Sequence, residues 1–205
     1  MKLYLTGMLG YETARRLYEA DRKRFEARFP RFFLDEFEKL SERTVTFSAF
    51  LDKLCIDKNT KTLYSRKKFF LHASLCVCEV TEGGLFGALW DVCEELDAGC
   101  SVRLLEIPLD QHVVEILEYA GENPYEVASC GCLLIAAEED EMVGEMTEIG
   151  TVTDGNERVL LIGEKKRYLT PPERQAKDIE DRRGERHAAG NRKKRCELKQ
   201  QGGTG

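Results

Sequence analysis

The apolar positions of residues 75–96 change from a strand pattern to a helix pattern within one short stretch. Residues 75–80 are apolar or cysteine apart from Glu79, and turn residues follow them, which is typical of a strand buried inside a sheet. From Leu85 onwards, large apolar residues recur every three or four positions, which predicts an amphipathic helix with one acidic, solvent-facing side. The stretch therefore predicts a strand, a glycine turn and a helix in direct succession.

The turn between this strand and this helix, Thr81-Glu82-Gly83-Gly84, is a candidate binding site for an anion. A helix that starts just past the carboxyl end of a strand presents free backbone N–H groups and the positive end of its dipole, and phosphates bind in such places. Two adjacent glycines also serve a tight turn and close packing of the helix, and the turn taken alone favours this second interpretation. Both interpretations stay open at this point.

The same patterns predict further elements on both sides of this stretch. Helices are predicted at about residues 12–29, 33–40, 47–54 and 110–120, a short helical turn at Asn123-Pro124, a loop at 57–68, and strands at 2–6, 100–107, 130–137, 148–153 and 158–162. Gly99 is predicted to end the central helix. The Asp154-Gly155-Asn156 turn predicts that the last two strands form a hairpin. This mixture of helices and strands indicates an α/β (α+β) domain.

Charge is divided unevenly along the 205 residues. Residues 165–205 hold 13 Lys and Arg against 6 Asp and Glu, whereas residues 1–164 hold 18 basic and 31 acidic residues. An acidic body argues against nucleic acid as the main partner, because phosphate contacts need clustered basic side chains. The polar and basic residues 170–205 have no apolar face, which predicts a disordered tail.

No apolar run is long enough to span a membrane, and the apolar start of the chain is too short for a signal peptide. These features predict a cytoplasmic protein whose eight cysteines are reduced. Two Cys-x-Cys pairs could in principle offer four sulfur ligands to zinc, but cysteines in strands usually pack as small apolar residues, so no metal site is predicted at Cys76, Cys78, Cys130 and Cys132. The isolated His72 and His112 receive no catalytic role.

Several short stretches occur in the order and spacing of one known family. They are Glu79-Val-Thr-Glu-Gly-Gly-Leu-Phe-Gly-Ala-Leu-Trp90, Glu106-Ile-Pro-Leu, Asn123-Pro-Tyr, Ser129-Cys-Gly-Cys-Leu-Leu-Ile-Ala, Thr153-Asp-Gly-Asn-Glu-Arg-Val and Arg167-Tyr-Leu-Thr-Pro-Pro172. With these stretches, residues 1–172 resemble the AIR synthase-related proteins, in particular their PurM-like C-terminal domain and its HypE-like hydrogenase maturation members.

The resemblance implies an α/β/α layered PurM-like domain with a mixed sheet at residues 1–169. It also implies ATP-dependent phosphorylation of an amide or carbonyl-type oxygen, with Glu79, Thr81, Glu82, Gly83 and Gly84 as cofactor-binding residues and no catalytic residue in this chain. In the family, a separate N-terminal domain carries the metal ligands and most of the nucleotide site. ATP and Mg²⁺ are therefore expected only with a partner, either a separately encoded N-terminal half or a second copy in a homodimer.

Three departures from the family pattern bear on function. Cys78-Glu79 replaces the family's His-Asp pair, so the imidazole side chain is lost. Residues 137–148 are too few for the full helix that the family has here, which predicts an exposed sheet face. Cys196 is not assigned the role of the cysteine that carries a carbamoyl group in HypE. The leading hypothesis is a half-domain that contributes an anion-binding loop and is inactive alone. The alternative is a non-catalytic assembly or dimerisation module, or a degenerate fragment of the family.

Overall fold

The computed structural model describes residues 1–43, 69–72, 75–138 and 146–172. The chain divides into two units, Met1–Pro171 and Pro172–Gly205, and every helix and strand described belongs to the first. The predicted helix at 47–54, the predicted loop at 57–68 and the predicted tail from residue 173 lie outside the described residues. Within them, no helix is long and apolar enough to cross a membrane.

The described residues contain the predicted mixture of strands and helices. The strands are β1 (Lys2–Thr6), β2 (Phe69–His72), β3 (Leu75–Glu79), β4 (Gly99–Arg103), β5 (Leu133–Ala137), β6 (Thr147–Thr153), β7 (Arg158–Ile162) and β8 (Lys165–Tyr168). The helices are α1 (Tyr11–Ala20), α2 (Arg22–Arg28), α3 (Arg31–Lys39), α4 (Gly84–Leu96) and α5 (Gln111–Ala120), with single 3-10 turns at Leu40–Arg43 and Leu104–Glu106.

These eight strands form one mixed sheet in the order β2-β3-β5-β1-β6-β4-β7-β8. The neighbouring pairs are antiparallel except β4 and β7, which run parallel. Strand β1 therefore lies inside the sheet, between β5 and β6. The mixed sheet and its packed helices confirm the predicted fold class.

One face of this sheet is covered by α4. Apolar residues of β1, β3, β4, β5, β6 and β7 form one core with the buried side of α4, including Leu3, Cys78, Leu134, Val102, Leu85 and Leu89. Strand residues point alternately to the two faces, so this core uses every second position along each strand. The predicted amphipathic helix is thus confirmed, and it begins at Gly84 rather than Leu85.

The opposite face is also buried over β1, β3 and β5. Tyr4, Val77, Ile135 and Ala137 alternate with the residues that contact α4, and each is at most 4% exposed. The exposed face that was expected from the short segment at 137–148 is therefore not observed over these strands. That expectation took the length of one segment as a measure of coverage, whereas the burial of a face depends on every part of the chain that packs against it.

A second core lies among α1, α2, α3 and α5, and the described residues that form it come from helices and loops. Helices α1 and α2 replace the single predicted helix at 12–29, because Asp21 leaves the helical conformation and its side chain accepts a hydrogen bond from Arg24 N. Aromatic rings hold the four helices together: Phe37 of α3 lies 5.3 Å from the ring of Tyr11 and 6.0 Å from the ring of Tyr18. The four helices therefore pack against one another through buried apolar and aromatic side chains.

The predicted hairpin at Asp154-Gly155-Asn156 is wrong in its pairing, although both strands exist. Strand β4 lies between them, antiparallel to β6 and parallel to β7. The connection passes the start of β4, where Cys100 N donates to Glu157 O at 2.9 Å. Strand β7 instead forms a hairpin with β8, which was not predicted.

Other boundaries differ from the predictions for local reasons. Strand β4 ends at Arg103 because a 3-10 turn follows it, and β5 begins only at Leu133 because Cys132 N donates to Ser129 O and closes a turn there. Asp97, in the left-handed conformation, ends α4 in place of Gly99. Asn123 caps a turn through its side chain, which accepts from Tyr125 N, but no helix follows.

Candidate anion site at the start of helix α4

The candidate turn lies directly after β3, as the sequence predicted. Gly83 occupies the position before α4 with φ 83°, and no side chain caps the helix. Gly84 N donates to Thr81 O at 3.0 Å, and Gly87 N donates to Gly83 O at 2.9 Å, so the turn closes onto the first helical residues. Thr81, Glu82, Gly83 and Gly84 therefore lie together at the positive end of a 13-residue helix.

A second backbone segment covers part of this helix start. Phe86 N donates to Tyr125 O at 3.3 Å, and a Cβ added to Gly84 would lie 2.4 Å from the same oxygen. Leu85 is fully buried, whereas Gly83 is partly exposed and Glu82 is exposed. The second glycine thus allows close packing against Tyr125, and the first is itself partly exposed to solvent.

Glu79 is separated from the other four candidate residues by the sheet. Cys78 packs in the core with α4, so the next side chain, Glu79, lies on the opposite face. Glu79 is 3% exposed, and its Oε1 accepts from Gly131 N at 3.3 Å. Its carboxylate therefore contacts the turn before β5, and the structure does not bring it to the start of α4.

Ser129 connects the neighbouring loops at this edge of the sheet. Its N–H donates to Val80 O, its Oγ accepts from Gly10 N at 2.7 Å, and the same hydroxyl donates to Val127 O at 3.1 Å. Gly10 precedes α1 in the left-handed conformation, so a second helix also starts at this edge. Gly10 was not among the predicted site residues, although its setting between a strand and a helix matches that of Gly83.

Carboxylate side chains accept hydrogen bonds from the two backbone N–H groups that follow Ser129. Glu12 Oε2 accepts from Cys130 N at 3.3 Å, and Glu79 Oε1 accepts from Gly131 N at the same distance. These donors are already satisfied within the chain. These two N–H groups therefore already have acceptors and are not part of the candidate anion site.

The four cysteines weighed for zinc do not share one environment. Cys76, Cys78 and Cys132 are buried, but Cys130 is exposed and precedes β5, so its predicted place inside a strand is wrong. Replacing Cys130 by serine should consequently cost little stability, in contrast to the expectation for a core thiol. Among the described residues, no group of three or more His, Cys, Asp or Glu side chains could hold a metal ion.

Because thiols are buried in the core, the free energy of unfolding depends on pH in the alkaline range. Burial raises the pKa of the Cys132 thiol, and the charge of Glu79 raises it further. An unfolded thiol releases its proton near pH 8.5 while the folded thiol still holds it, so the free energy of unfolding falls as pH rises above about 8.5. We expect Cys132→Ala to reduce this slope by about 1 kcal/mol per pH unit. Urea unfolding between pH 7 and 10 measures it.

The matched control for this prediction is Cys130→Ala, since Cys130 is exposed. This control should leave the slope of stability against pH unchanged. Equal slopes for the wild type and Cys132→Ala would contradict the effect of burial on the Cys132 pKa.

Comparison with known proteins concerns the fold. No protein-family model and no curated protein matches the chain. Among solved structures, HypE of E. coli, described as a hydrogenase maturation protein, matches with 16% identity and a TM-score of 0.57 over 85% of this chain and 50% of that chain. HypE in a complex with HypF matches with 15% identity and a TM-score of 0.56, over 83% of this chain and 52% of that one.

A third match, HypE in complex with ATP, has 15% identity and a TM-score of 0.54 over 85% of this chain and 51% of that chain. The chain thus spans about half the length of the solved structures that it matches. At these identities the likeness establishes the fold, and the resemblance drawn from the sequence motifs is confirmed at that level. The described chain has the PurM-like fold found in HypE.

Proposed function

We propose that this chain is one half of an ATP-dependent, HypE-like protein, and that the start of α4 donates hydrogen bonds to phosphate oxygens of the nucleotide. This proposal rests on the position of Gly83, which is partly exposed and lies just past β3 at the N-terminal end of a 13-residue helix. No side chain caps that helix. Backbone donors at such a position stabilise phosphate charge. A HypE of the same fold is described in complex with ATP, which supports the choice of ligand.

The proposed division of labour follows from the side chains around the turn. Thr81, Glu82, Gly83 and Gly84 form the phosphate-facing turn, while Glu79 holds the turn at Gly131 from the other face of the sheet. Glu82 carries a negative charge, so a phosphate beside it requires a cation, and Mg²⁺ accompanying ATP would supply it. No acidic cluster for that ion occurs among the described residues, so most of its ligands would come from a partner.

That partner is either a separately encoded N-terminal half or a second copy of this chain. The proposal draws support from the length comparison, since this chain spans about half of each HypE chain. A HypE is also described in a complex with HypF, which supports partner binding by this fold. The reaction itself, phosphorylation of an amide or carbonyl-type oxygen, would require both halves.

Binding of Mg·ATP to the isolated chain tests the proposal by calorimetry. We expect roughly millimolar affinity, because a few backbone donors and a helix dipole supply only a few kcal/mol. Gly83→Ala should weaken binding, since φ 83° strains any residue with a Cβ and displaces the donor. The matched control is Gly121→Ala, which has the same φ and open space around its Cβ but lies at the end of α5.

The isolated chain should bind without turning ATP over. We expect no Mg²⁺-dependent hydrolysis above the blank in a phosphate-release assay, because phosphoryl transfer needs metal-bridged phosphates and fixed cations that the turn lacks. Robust turnover by the chain alone would contradict the half-domain proposal.

A non-catalytic assembly module is the second candidate, and the packing of Gly84 favours it. The close contact with Tyr125 gives the second glycine a structural purpose that involves no ligand. Under this alternative, Mg·ATP produces no heat of binding at millimolar concentration. Sedimentation of the same sample would then show a stable dimer or a higher oligomer.

A further inference from the structure

Strand β8 forms one end of the sheet and has an open hydrogen-bonding edge. It pairs with β7 on one side, and no strand of the described residues lies on its other side. All four of its residues, Lys165–Tyr168, are exposed. An exposed edge strand can accept an extended segment of another chain as an additional strand. Strand β8 is therefore a candidate surface for strand addition.

The pairing of β8 with β7 determines which of its backbone groups are open. Leu169 N donates to Arg158 O at 2.8 Å, and these two residues continue the β7–β8 register by one position. In an antiparallel ladder, hydrogen-bonded pairs alternate with pairs that are not hydrogen-bonded, so every second residue before Leu169 also bonds to β7. The N–H and C=O groups of Lys166 and Tyr168 consequently point away from β7. These groups can pair with an added strand.

Strand β8 also carries three consecutive cations, Lys165, Lys166 and Arg167. None of them forms an ion pair with a carboxylate of the described residues. The cations on the other described strands each contact a carboxylate within 3.0 Å, in the pairs Lys2–Glu148, Arg103–Glu148 and Arg158–Glu94. The chain before β8 holds 31 acidic and 18 basic residues, so this edge differs in charge from the body that bears it.

The side chains of β8 are divided between the two faces of the sheet. Arg167 lies opposite Leu160, which belongs to the core with α4, so Arg167 and Lys165 lie on the α4 side. Lys166 and Tyr168 lie on the other side, and 61% of Tyr168 is exposed. An added strand would therefore meet a cation on each face of the sheet and an exposed aromatic ring on one of them.

We propose that β8 binds an extended segment of a partner protein, rich in Asp and Glu, as an additional antiparallel strand. Cross-strand pairs of opposite charge stabilise neighbouring strands, so carboxylates are favoured opposite the three cations and a β-branched residue opposite Tyr168. A second copy of this chain does not fit, because two antiparallel β8 strands would place cations opposite cations. The charge that prevents self-pairing thus also selects an acidic partner. This inference is independent of nucleotide binding at the start of α4.

Binding of a fluorescent peptide to the full chain, measured by anisotropy, tests strand addition. The probe is Thr-Ile-Glu-Glu-Glu-Thr, which in antiparallel pairing places isoleucine opposite Tyr168 and the three glutamates opposite the three cations. We expect saturable binding that shifts the amide signals of Lys166 and Tyr168.

Two methylated forms of this peptide separate strand pairing from attraction between charges. N-methylation of the isoleucine and the middle glutamate removes the N–H donors that face β8, and it should weaken binding about tenfold. N-methylation of the first and third glutamates removes donors that face away from β8, and it should leave binding unchanged.

Substitutions in β8 test the protein side of the contact. Lys166→Glu should weaken binding about tenfold, because a like charge would then face the peptide. Lys23→Glu on the exposed surface of α2 makes the same change in net charge and is the matched control. Lys166→Pro should abolish binding and still fold, because the N–H that it removes points away from β7 and proline is tolerated at such edge positions. Urea unfolding checks that this variant is folded.

Two results would overturn the inference. One is the absence of saturable binding at about 1 mM peptide. The other is equal binding of the two methylated peptides, which would show attraction between charges without strand pairing. If Lys166→Pro is unfolded, the methylated peptides decide the question, because they leave the protein unchanged.

Discussion

Replacing Gly84 by alanine is expected to lower the free energy of unfolding by about 2–5 kcal/mol. Part of the loss, about 1–2 kcal/mol, comes from placing a Cβ on a residue with φ 62°. The larger part comes from packing, because the added atom would lie 2.4 Å from Tyr125 O and 2.5 Å from the carbonyl carbon of Glu126. Backbone atoms cannot rotate away as a side chain does, so either α4 or the Tyr125 segment must move. Urea unfolding measures the loss.

Gly163→Ala is the matched control for this substitution. Gly163 has φ 59° and open space around the added Cβ, so it isolates the conformational part of the loss. We expect the control to lose about 1–2 kcal/mol. Similar losses in the two variants would contradict the close packing of Tyr125 and Glu126 on the start of α4, and with it the main argument for the assembly-module alternative.

Phe37→Ala is expected to cost about 3–5 kcal/mol of unfolding free energy. Phe37 is fully buried in the core of α1, α2, α3 and α5, where it contacts the rings of Tyr11 and Tyr18. Alanine would remove most of the ring volume and leave a cavity that the surrounding helices fill only in part. The same unfolding assay applies, and the transition should stay cooperative if both cores unfold together.

Phe32→Ala provides the control from the same helix. Phe32 is 71% exposed, so its replacement should change stability by less than about 0.5 kcal/mol. A small effect of Phe37→Ala, or equal effects of the two substitutions, would show that the helical core contributes little to the fold.

Local patterns predicted the elements well where a single segment carries the signal. The strand–turn–helix unit β3–α4, the short strand β1 and the helix α5 follow from apolar spacing and turn residues. Pairing between strands did not follow in the same way. The turn after β6 has the composition of a hairpin, yet β4 lies between β6 and β7. Which strand fills that gap depends on the packing of the whole sheet.

The candidate site shows the same division between local and distant determinants. Residues 81–84 could be found because the turn lies between a strand and a helix in sequence. The contacts that define its surroundings join residues far apart, such as Gly10 N with Ser129 Oγ and Phe86 N with Tyr125 O. The position of Glu79 on the opposite face follows from strand alternation, so its inclusion among the residues at the start of α4 was avoidable. The contact of Tyr125 with the start of α4 cannot be predicted from the sequence of either segment alone.

Amide chemical shifts recorded during a titration with Mg·ATP test the central proposal most directly. Under the half-domain account, millimolar Mg·ATP shifts the signals of Thr81 to Leu85 in a saturable way, because the phosphates accept hydrogen bonds at the start of α4. The signal of Gly121, at the far end of α5, should stay in place and serves as the internal control. Unchanged signals at Thr81 to Leu85 at the same concentrations would contradict the anion site and leave the assembly module as the function that fits the fold.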